Sequence, residues 1–217
     1  MIKAVIFDLD GTLTDTLDDL SDAVNYVLTE HDYPIRTKDE VRSFVGNGLY
    51  MLMRRALPSY CSDETAIDCT NDLSTYYKLH SLDKTKPYDG IIELLKQLNA
   101  DGIHCAVATN KKESAAIEIC KRFFGDLLIS VKGDNGTRPL KPNCAVIDEL
   151  LTEMNVKKQE VLYVGDSETD AQTARNSALQ AIGVLWGFRS KEQLVDAGMT
   201  LFAEKSNDIY HIVKNYG

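Results

Sequence analysis

The sequence predicts an α/β protein whose parallel sheet is interrupted, after its first strand, by an all-helical insertion. Two observations support this prediction. Short apolar runs alternate with stretches of helical periodicity, and this alternation fails only between residues 16 and 83. Strands that alternate with helices indicate parallel pairing, because each helical crossover returns the chain to the same edge of the sheet.

Five short apolar runs mark the predicted strands. Each is bounded by polar or turn-forming residues, as expected of strands that are buried on both faces. They are Ala4–Phe7, Cys105–Ala108, Leu127–Ile129, Val161–Val164 and Ala181–Val184. Helical patterns lie between them, for example over residues 91–98 and 145–151. In such sheets, ligands bind at the carboxyl ends of the strands.

The insertion contains three segments in which apolar residues recur at a helical period. They begin near Leu17, Leu49 and Ile67, and no convincing strand separates them. We therefore predict a core domain over residues 1–15 and 84–217 and a helical domain over residues 16–83. The linkers are expected near residues 14–16 and 83–87, to within a few residues.

Composition narrows the range of partners. The net charge of −9 argues against nucleic acid or an anionic membrane, since both are bound through basic patches. No apolar stretch approaches the ~20 residues that span a bilayer, and the run before Asp8 is too short for a signal peptide. The five cysteines are odd in number and form no C-x-x-C pair, which favours free thiols in a reducing cytoplasm. We expect a cytoplasmic protein.

A pair of carboxylates follows the first predicted strand. Asp8 ends the strand, and Asp10 lies two residues on, where it can reach the same pocket. One carboxylate can attack while its neighbour moves a proton, provided that their environments separate their pKa values. Gly11 allows the backbone to turn closely beneath an anion. Asp-Gly alone would indicate only a turn, but the whole string after an apolar strand is far rarer.

Three further groups follow predicted strands, and each has an ordinary structural alternative. Thr109 and Asn110 offer hydrogen-bond donors to a phosphate, although such residues also cap strand ends. Lys141 begins a helix-like segment, where a lysine is ordinarily a solvent-exposed charge. Asp166 and Asp170 stand one helical turn apart and can supply oxygens to a hard cation, although Asp166 or Ser167 could simply cap a helix. The convergence of all these residues at strand ends is stronger evidence for a phosphate and metal site than any one of them alone.

These four segments, in this order, resemble the haloacid dehalogenase superfamily of phosphatases over nearly the whole chain. The D-x-D-G-T and G-D-S-x-x-D elements carry the resemblance, with Thr-Asn and Lys-Pro between them. It implies a Rossmann-like core with a small helical cap domain. Local strings such as residues 45–48, 109–111 and 186–188 resemble the phosphoglycolate phosphatase branch.

The resemblance implies a role for each of these side chains and implies Mg²⁺ as the cofactor. Asp8 would be the nucleophile and a metal ligand, and Asp10 the general acid and base, with its backbone carbonyl on the metal. Asp166 would be the remaining carboxylate on the metal. Asp170 would support it, directly or through water. A further set, Thr109, Asn110 and Lys141, would hold the transferring phosphoryl group.

Substrate choice is expected to come from the cap. Gly46, Asn47 and Gly48 form a loop with little side-chain bulk, followed by Leu49 where an arginine could have bound a second phosphate. This favours a small phosphomonoester, and the resemblance suggests 2-phosphoglycolate. The loop could equally be the ordinary start of a helix. The surroundings of Lys141 and the stretch 176–179 depart from the usual pattern of the branch, which weakens the claim to one substrate.

Other activities stay open at this stage. A pyrophosphatase, or a sugar-phosphate phosphatase or phosphomutase of the same fold, would use the same core residues. A non-catalytic phospho-aspartate signalling module is less favoured, because there an acidic pair follows the first strand and the phosphorylated aspartate lies on a later one. We expect a small phosphorylated metabolite as the partner, and a monomer or homodimer.

Overall fold

A computed structural model describes residues 1–216. A six-stranded sheet forms its centre, with the strand order β5-β4-β1-β6-β7-β8 and parallel pairing throughout. The strands, in chain order, are β1 (Ala4–Phe7), β2 (Thr14–Asp15), β3 (Lys86–Pro87), β4 (His104–Lys112), β5 (Ser130–Asp134), β6 (Val161–Gly165), β7 (Gln180–Val184) and β8 (Leu201–Ala203). The helices are α1 (Leu17–Glu30), α2 (Lys38–Phe44), α3 (Gly48–Ala56), α4 (Asp63–His80), α5 (Ile91–Ala100), α6 (Glu113–Phe124), α7 (Ala145–Met154), α8 (Glu168–Ser177), α9 (Lys191–Asp196) and α10 (Ser206–Asn215). The predicted α/β class is confirmed.

Strand β1 lies at the middle of the sheet and is buried along its whole length. Successive side chains of a strand point to opposite faces, so Val5 and Phe7 pack into one hydrophobic cluster and Ala4 and Ile6 into another. Helices cover both faces, which explains why the central strands read as continuous apolar runs. Phe7 pairs with both neighbouring strands, and the next residue therefore emerges at their shared carboxyl edge.

Helices α1 to α4 form the insertion, which we call the cap (Leu17–His80). It has its own hydrophobic cluster, separate from the two that sandwich the sheet. The chain enters through β2 and leaves through β3, which pair antiparallel as a two-stranded ribbon. Buried Asp19 of α1 accepts hydrogen bonds from the backbone N–H groups of Lys84 and Thr85, at 2.9 and 2.8 Å, and so ties the cap to its return linker. The domain boundaries at residues 15/16 and 83/84 stay a prediction.

The strand predicted at Leu127–Ile129 is wrong. A 3₁₀ turn occupies Gly125–Leu127, and the strand β5 follows at Ser130–Asp134. This strand lies at the edge of the sheet and includes Lys132, so its sequence is not a continuous apolar run. The strand expected to end at Ala108 continues to Lys112, with an irregular register after Ala108. The edge strand β8 was also missed.

Two composition-based expectations can be compared with the structure. All five cysteines are free thiols, and only Cys144 is partly accessible. Over residues 1–216, none of the helices combines the length and the apolar character that crossing a membrane requires.

Candidate active site

The loop after β1 presents Asp8 and Asp10 at the carboxyl edge of the sheet. The Asp8 backbone N–H donates to the Val164 carbonyl at 2.8 Å, which continues the pairing with β6 for one more residue. The Leu9 N–H donates to Asp8 Oδ1 at 2.8 Å and fixes the direction of that carboxylate. Gly11 turns the chain with φ of 81°, a left-handed conformation that glycine adopts without strain. A Cβ there would overlap the carboxylate of Asp166.

Lys141 lies inside the site and is only 4% exposed, so the alternative that it is a solvent-exposed surface charge is wrong. Its ammonium group is 3.0 Å from Asp8 Oδ1 and 2.8 Å from Asp170 Oδ1, and it donates to the Tyr163 hydroxyl at 2.9 Å. Helix α7 begins four residues later, at Ala145, so Lys141 belongs to the preceding turn.

Thr109 and Asn110 lie beside Lys141, within the irregular end of β4. The Asn110 side chain binds the backbone of Lys141 on both sides: its Oδ1 accepts from the Lys141 N–H at 2.7 Å and its Nδ2 donates to the Lys141 carbonyl at 3.0 Å. It also donates to the carbonyl of Gly46 in the cap at 3.1 Å. Asn110 therefore positions Lys141, while both Thr109 and Asn110 border the cleft.

Asp166 and Asp170 follow β6, and both are fully buried. Ser167 is the N-cap of α8, and its hydroxyl and backbone N–H both donate to Asp170 Oδ2, at 2.6 and 3.1 Å. The other oxygen, Asp170 Oδ1, accepts from Lys141 and from the Tyr163 hydroxyl. Both oxygens of Asp170 are thus engaged by the protein. Asp166 accepts one hydrogen bond on each oxygen, from the Thr12 hydroxyl at 3.3 Å and from the Phe188 N–H at 2.7 Å, and neither donor is charged.

The surroundings of these carboxylates shift their pKa values in different directions. Burial, reinforced by Asp170, raises the pKa of Asp8 to about 7. Burial, with Asp170 and Asp8 nearby, raises the pKa of Asp166 well above its usual range. Burial also opposes the charge on Asp170, but Lys141 and the hydroxyl donors lower its pKa. Burial opposes the charge on Lys141 as well, yet Asp170 and Asp8 raise its pKa well above the usual value. Asp170 and Lys141 therefore form a stable ion pair that also reaches Asp8, and the charges of Asp8 and Asp166 are compensated only in part.

The carboxylate set fits a divalent cation. Oxygens of Asp8, Asp166 and Asp170 all lie within 4.8 Å of one another, a spacing that one ion can bridge. With every group ionised, four carboxylates, including Asp10, share the site with two ammonium groups, a formal excess of two negative charges. An all-oxygen donor set suits a hard cation. The Asp10 side chain points elsewhere, so only its backbone is left as a metal ligand.

Lys111 is a site residue that the sequence reasoning missed. Its buried ammonium group contacts Asp10 Oδ1 at 2.9 Å and the Tyr77 hydroxyl of the cap at 2.8 Å. Burial acts against its charge, but Asp10 and Tyr77 raise the pKa of Lys111 above its usual value. The available signal was its position directly after Thr109 and Asn110, in the string 109–111 that carried part of the family resemblance. Strand alternation could not have placed it, because the register of β4 is irregular after Ala108.

The cap loop covers the cleft. Gly46 and Gly48 line a cavity of ≈ 40 Å³, together with Leu20, Leu49 and Leu52 of the cap. The Asn47 side chain turns away and donates to Thr169 of the core at 3.1 Å. Helix α3 begins at Gly48, so the loop is both a helix start and a wall of the cleft. A single water molecule occupies about 10–15 Å³ of such a cavity, so the cleft admits only a small molecule.

Comparisons with known proteins agree with this geometry. A family model described as haloacid dehalogenase-like hydrolase matches residues 5–184. A phosphoglycolate phosphatase of Rhodospirillum rubrum is 34% identical over 206 residues, which cover 91% of this chain and 85% of that protein. A phosphoglycolate phosphatase of Vibrio parahaemolyticus is 28% identical over 98% of this chain and 96% of its own length.

Solved structures are similar over almost the whole chain. The crystal structure of a predicted phosphoglycolate phosphatase from Haemophilus somnus superposes with a TM-score of 0.90 at 26% identity, and 97% of each chain is covered. That of a predicted phosphatase from Clostridium acetobutylicum gives 0.88 at 28% identity over 99% of each chain. The likeness spans almost the whole chain, and the chain belongs to the haloacid dehalogenase-like hydrolases, in the branch of phosphatases that resembles phosphoglycolate phosphatase.

Proposed function

We propose that this protein is a Mg²⁺-dependent phosphatase that hydrolyses a small phosphorylated metabolite through a phosphorylated Asp8. The observation that carries the proposal is the cluster of three buried carboxylates, Asp8, Asp166 and Asp170, beside a small cleft, with a formal excess of negative charge over the nearby ammonium groups. A divalent cation would balance that excess. It would also reduce the repulsion between an anionic nucleophile and an anionic substrate.

Asp8 would attack phosphorus in line with the leaving oxygen. Its carboxylate is held by the Leu9 N–H and by Lys141, and it faces the cleft from the centre of the sheet edge. Lys141 would also bind an oxygen of the transferring phosphoryl group, with the Thr109 hydroxyl and the Asn110 backbone bordering the same space. Phosphoryl transfer depends mainly on such positioning and charge stabilisation. The Asp8 oxygen forms a bond to phosphorus as the bond to the leaving oxygen breaks.

Asp10 would move the protons of both half-reactions. It would protonate the departing alkoxide and then, once ionised, take a proton from the water that attacks phosphoryl-Asp8. Its side chain is free of the carboxylate cluster and borders the cleft, as both steps require. Lys111 holds it in the present arrangement. Asp166 would hold Mg²⁺ together with Asp8 and the Asp10 carbonyl, with Asp170 orienting the site or binding through water.

The substrate that we propose is 2-phosphoglycolate. Relatives that cover most of the chain are named phosphoglycolate phosphatases. The closed cleft is small and largely apolar on its cap side, which suits a two-carbon substrate better than a hexose phosphate. The cap residues Gly46 and Gly48 would set this size limit. We also propose that the protein acts in the cytoplasm.

A substrate panel tests the proposal. Phosphate release from 2-phosphoglycolate, pyrophosphate and glucose 6-phosphate is measured with Mg²⁺ and after chelation with EDTA. We expect 2-phosphoglycolate to give the highest kcat/KM and EDTA to abolish turnover. Acid-quenched enzyme should carry one added phosphoryl group by mass spectrometry, mapped to Asp8. Asp68→Asn changes an exposed carboxylate of α4 and should behave as wild type. Turnover undiminished by EDTA, or a preference for pyrophosphate, would contradict the respective part of the proposal.

A further inference from the structure

The segment Trp186–Arg189, which we call the strap, follows β7 and touches both the acidic site and the cap. The Trp186 indole N–H donates to the Thr12 carbonyl at 3.1 Å, in the loop that carries Asp8 and Asp10. The Phe188 N–H donates to Asp166 Oδ2 at 2.7 Å. Gly187 lies so close to Asp166 that a Cβ would overlap its side chain. The strap is therefore fixed to the carboxylate that is proposed to bind the metal.

The side chain of Phe188 leaves the core and enters the cap. It is 9% exposed and belongs to the hydrophobic cluster of the cap, whose other members come from residues 17–77. Movement of the cap away from the core would return this ring to water. Exposure of such an apolar side chain to water is unfavourable. Phe188 thus favours the closed position of the cap.

Arg189 binds the end of cap helix α2. It donates through Nη1 to the Arg42 carbonyl at 3.0 Å and through Nη2 to the Val45 carbonyl at 2.9 Å. The last carbonyls of a helix lack partners within the helix and carry partial negative charge, which a guanidinium stabilises. Glu168 of the core holds Arg189 Nε at 2.9 Å and so fixes the direction of the fork.

The residues held by Arg189 lead directly into the wall of the cleft. Val45, whose carbonyl accepts from Arg189, is followed by Gly46 and Gly48, and all three line the cavity. The Gly46 carbonyl is in turn bound by Asn110 of the core. Release of Arg189 would therefore remove one of the contacts with the core that hold this loop over the acidic site.

We propose that the strap holds the cap closed and couples that closure to the metal carboxylate. Phe188 and Arg189 are positioning residues: they bind the cap, and the Phe188 N–H ties the same segment to Asp166. Because coupling between two binding events is reciprocal, a cation that orders Asp166 stabilises the closed cap, and closure of the cap strengthens cation binding. This inference concerns closure and does not depend on which phosphate ester is the substrate.

Hydrogen–deuterium exchange of the intact protein, without substrate, tests closure directly. Phe188→Ala and Arg189→Ala should each speed amide exchange in residues 45–48 by about tenfold, which corresponds to a loss of ~1.4 kcal/mol of closure. Arg189→Lys should behave like Arg189→Ala, since an ammonium cannot supply the two-armed fork. Unchanged exchange at residues 45–48 in these variants would overturn the proposal.

The matched control is Arg175→Ala. Arg175 also donates to a carbonyl at a helix end, that of Ala197 at 2.6 Å, but both groups lie in the core. This change should leave exchange at residues 45–48 as in wild type. Equal acceleration by Arg175→Ala would show general loosening and refute a specific strap. Thermal unfolding verifies that each variant is folded, and Phe188→Leu replaces Phe188→Ala if the latter is not.

Mg²⁺ alone tests the coupling. The ion should slow exchange at residues 45–48 in wild type and have a clearly smaller effect in Phe188→Ala and Arg189→Ala. The same protection by Mg²⁺ in all three proteins would refute the coupling. In turnover assays, the strap variants should raise KM more than they lower kcat. A wild-type protein that hydrolyses no phosphate ester but shows these exchange effects would contradict the proposed function and leave the strap intact.

Discussion

Asp8→Asn should make the metal-free protein more stable while it abolishes turnover. The carboxylate of Asp8 is nearly buried, at 8% exposure, and lies close to Asp170. These surroundings raise its pKa from 3.8 to about 7. Three pKa units correspond to about 4 kcal/mol of free energy that the ionised group costs the folded state. Asparagine keeps the shape and the acceptor for the Leu9 N–H, and it carries no charge.

The sign of the pH dependence follows from this shift. Between about pH 4 and pH 7 the unfolded chain has released the Asp8 proton while the folded chain retains it, so stability falls as the pH rises through that window. Above pH 7 the cost is constant. The variant should therefore exceed wild type by only about 1–2 kcal/mol at pH 5 and by about 2–4 kcal/mol at pH 8. In a protein of this size the latter corresponds to a rise in Tm of at least about 4 °C.

Urea unfolding in EDTA at both pH values measures the effect, with the single tryptophan, Trp186, as the fluorescence probe. Asp68→Asn serves as the control for loss of an exposed carboxylate. Added Mg²⁺ should stabilise wild type and reduce the advantage of the variant, because binding to the folded state alone raises its stability. If Asp8→Asn is no more stable than wild type at pH 8 in EDTA, the assignment of uncompensated charge to this site is wrong. More than residual turnover by the variant would remove Asp8 as the nucleophile.

Four other substitutions test the acidic site. Lys141→Met leaves Asp8 and Asp170 buried without their cation and should cost about 3–5 kcal/mol in urea unfolding; near wild-type stability would contradict the burial of this pair. Gly11→Ala forces a side chain into a left-handed conformation and against Asp166, so calorimetry should show a marked loss of Mg²⁺ affinity together with a loss of about 1–3 kcal/mol of stability. Asp166→Asn should weaken Mg²⁺ binding more than Asp170→Asn does. Asp170→Asn should reduce the Mg²⁺ affinity by about 10–100-fold and lower the Tm more than Asp166→Asn does. The reverse order of affinities would make Asp170 the direct ligand.

Much of the core and its acidic residues could be predicted because the relevant signals are local. The apolar runs before Asp8 and Asp166 identify two buried strands, and parallel strands end at the same edge of the sheet. Proximity of the two carboxylates follows from that rule without knowledge of the packing. The apolar-run signal failed at Ser130–Asp134, where an edge strand is only partly buried and tolerates a lysine.

Which polar residues stand at the strand ends, and in what order, can be read from the chain alone, since strand periodicity and turn chemistry depend on near neighbours. The partners of those residues were decided only by tertiary structure. Lys111 meets Asp10 across 101 positions, and Arg189 reaches the Val45 carbonyl across 144. Such contacts depend on how the cap docks on the core, which no local pattern encodes. Burial likewise turned Lys141 from an ordinary lysine into the counter-charge of two carboxylates.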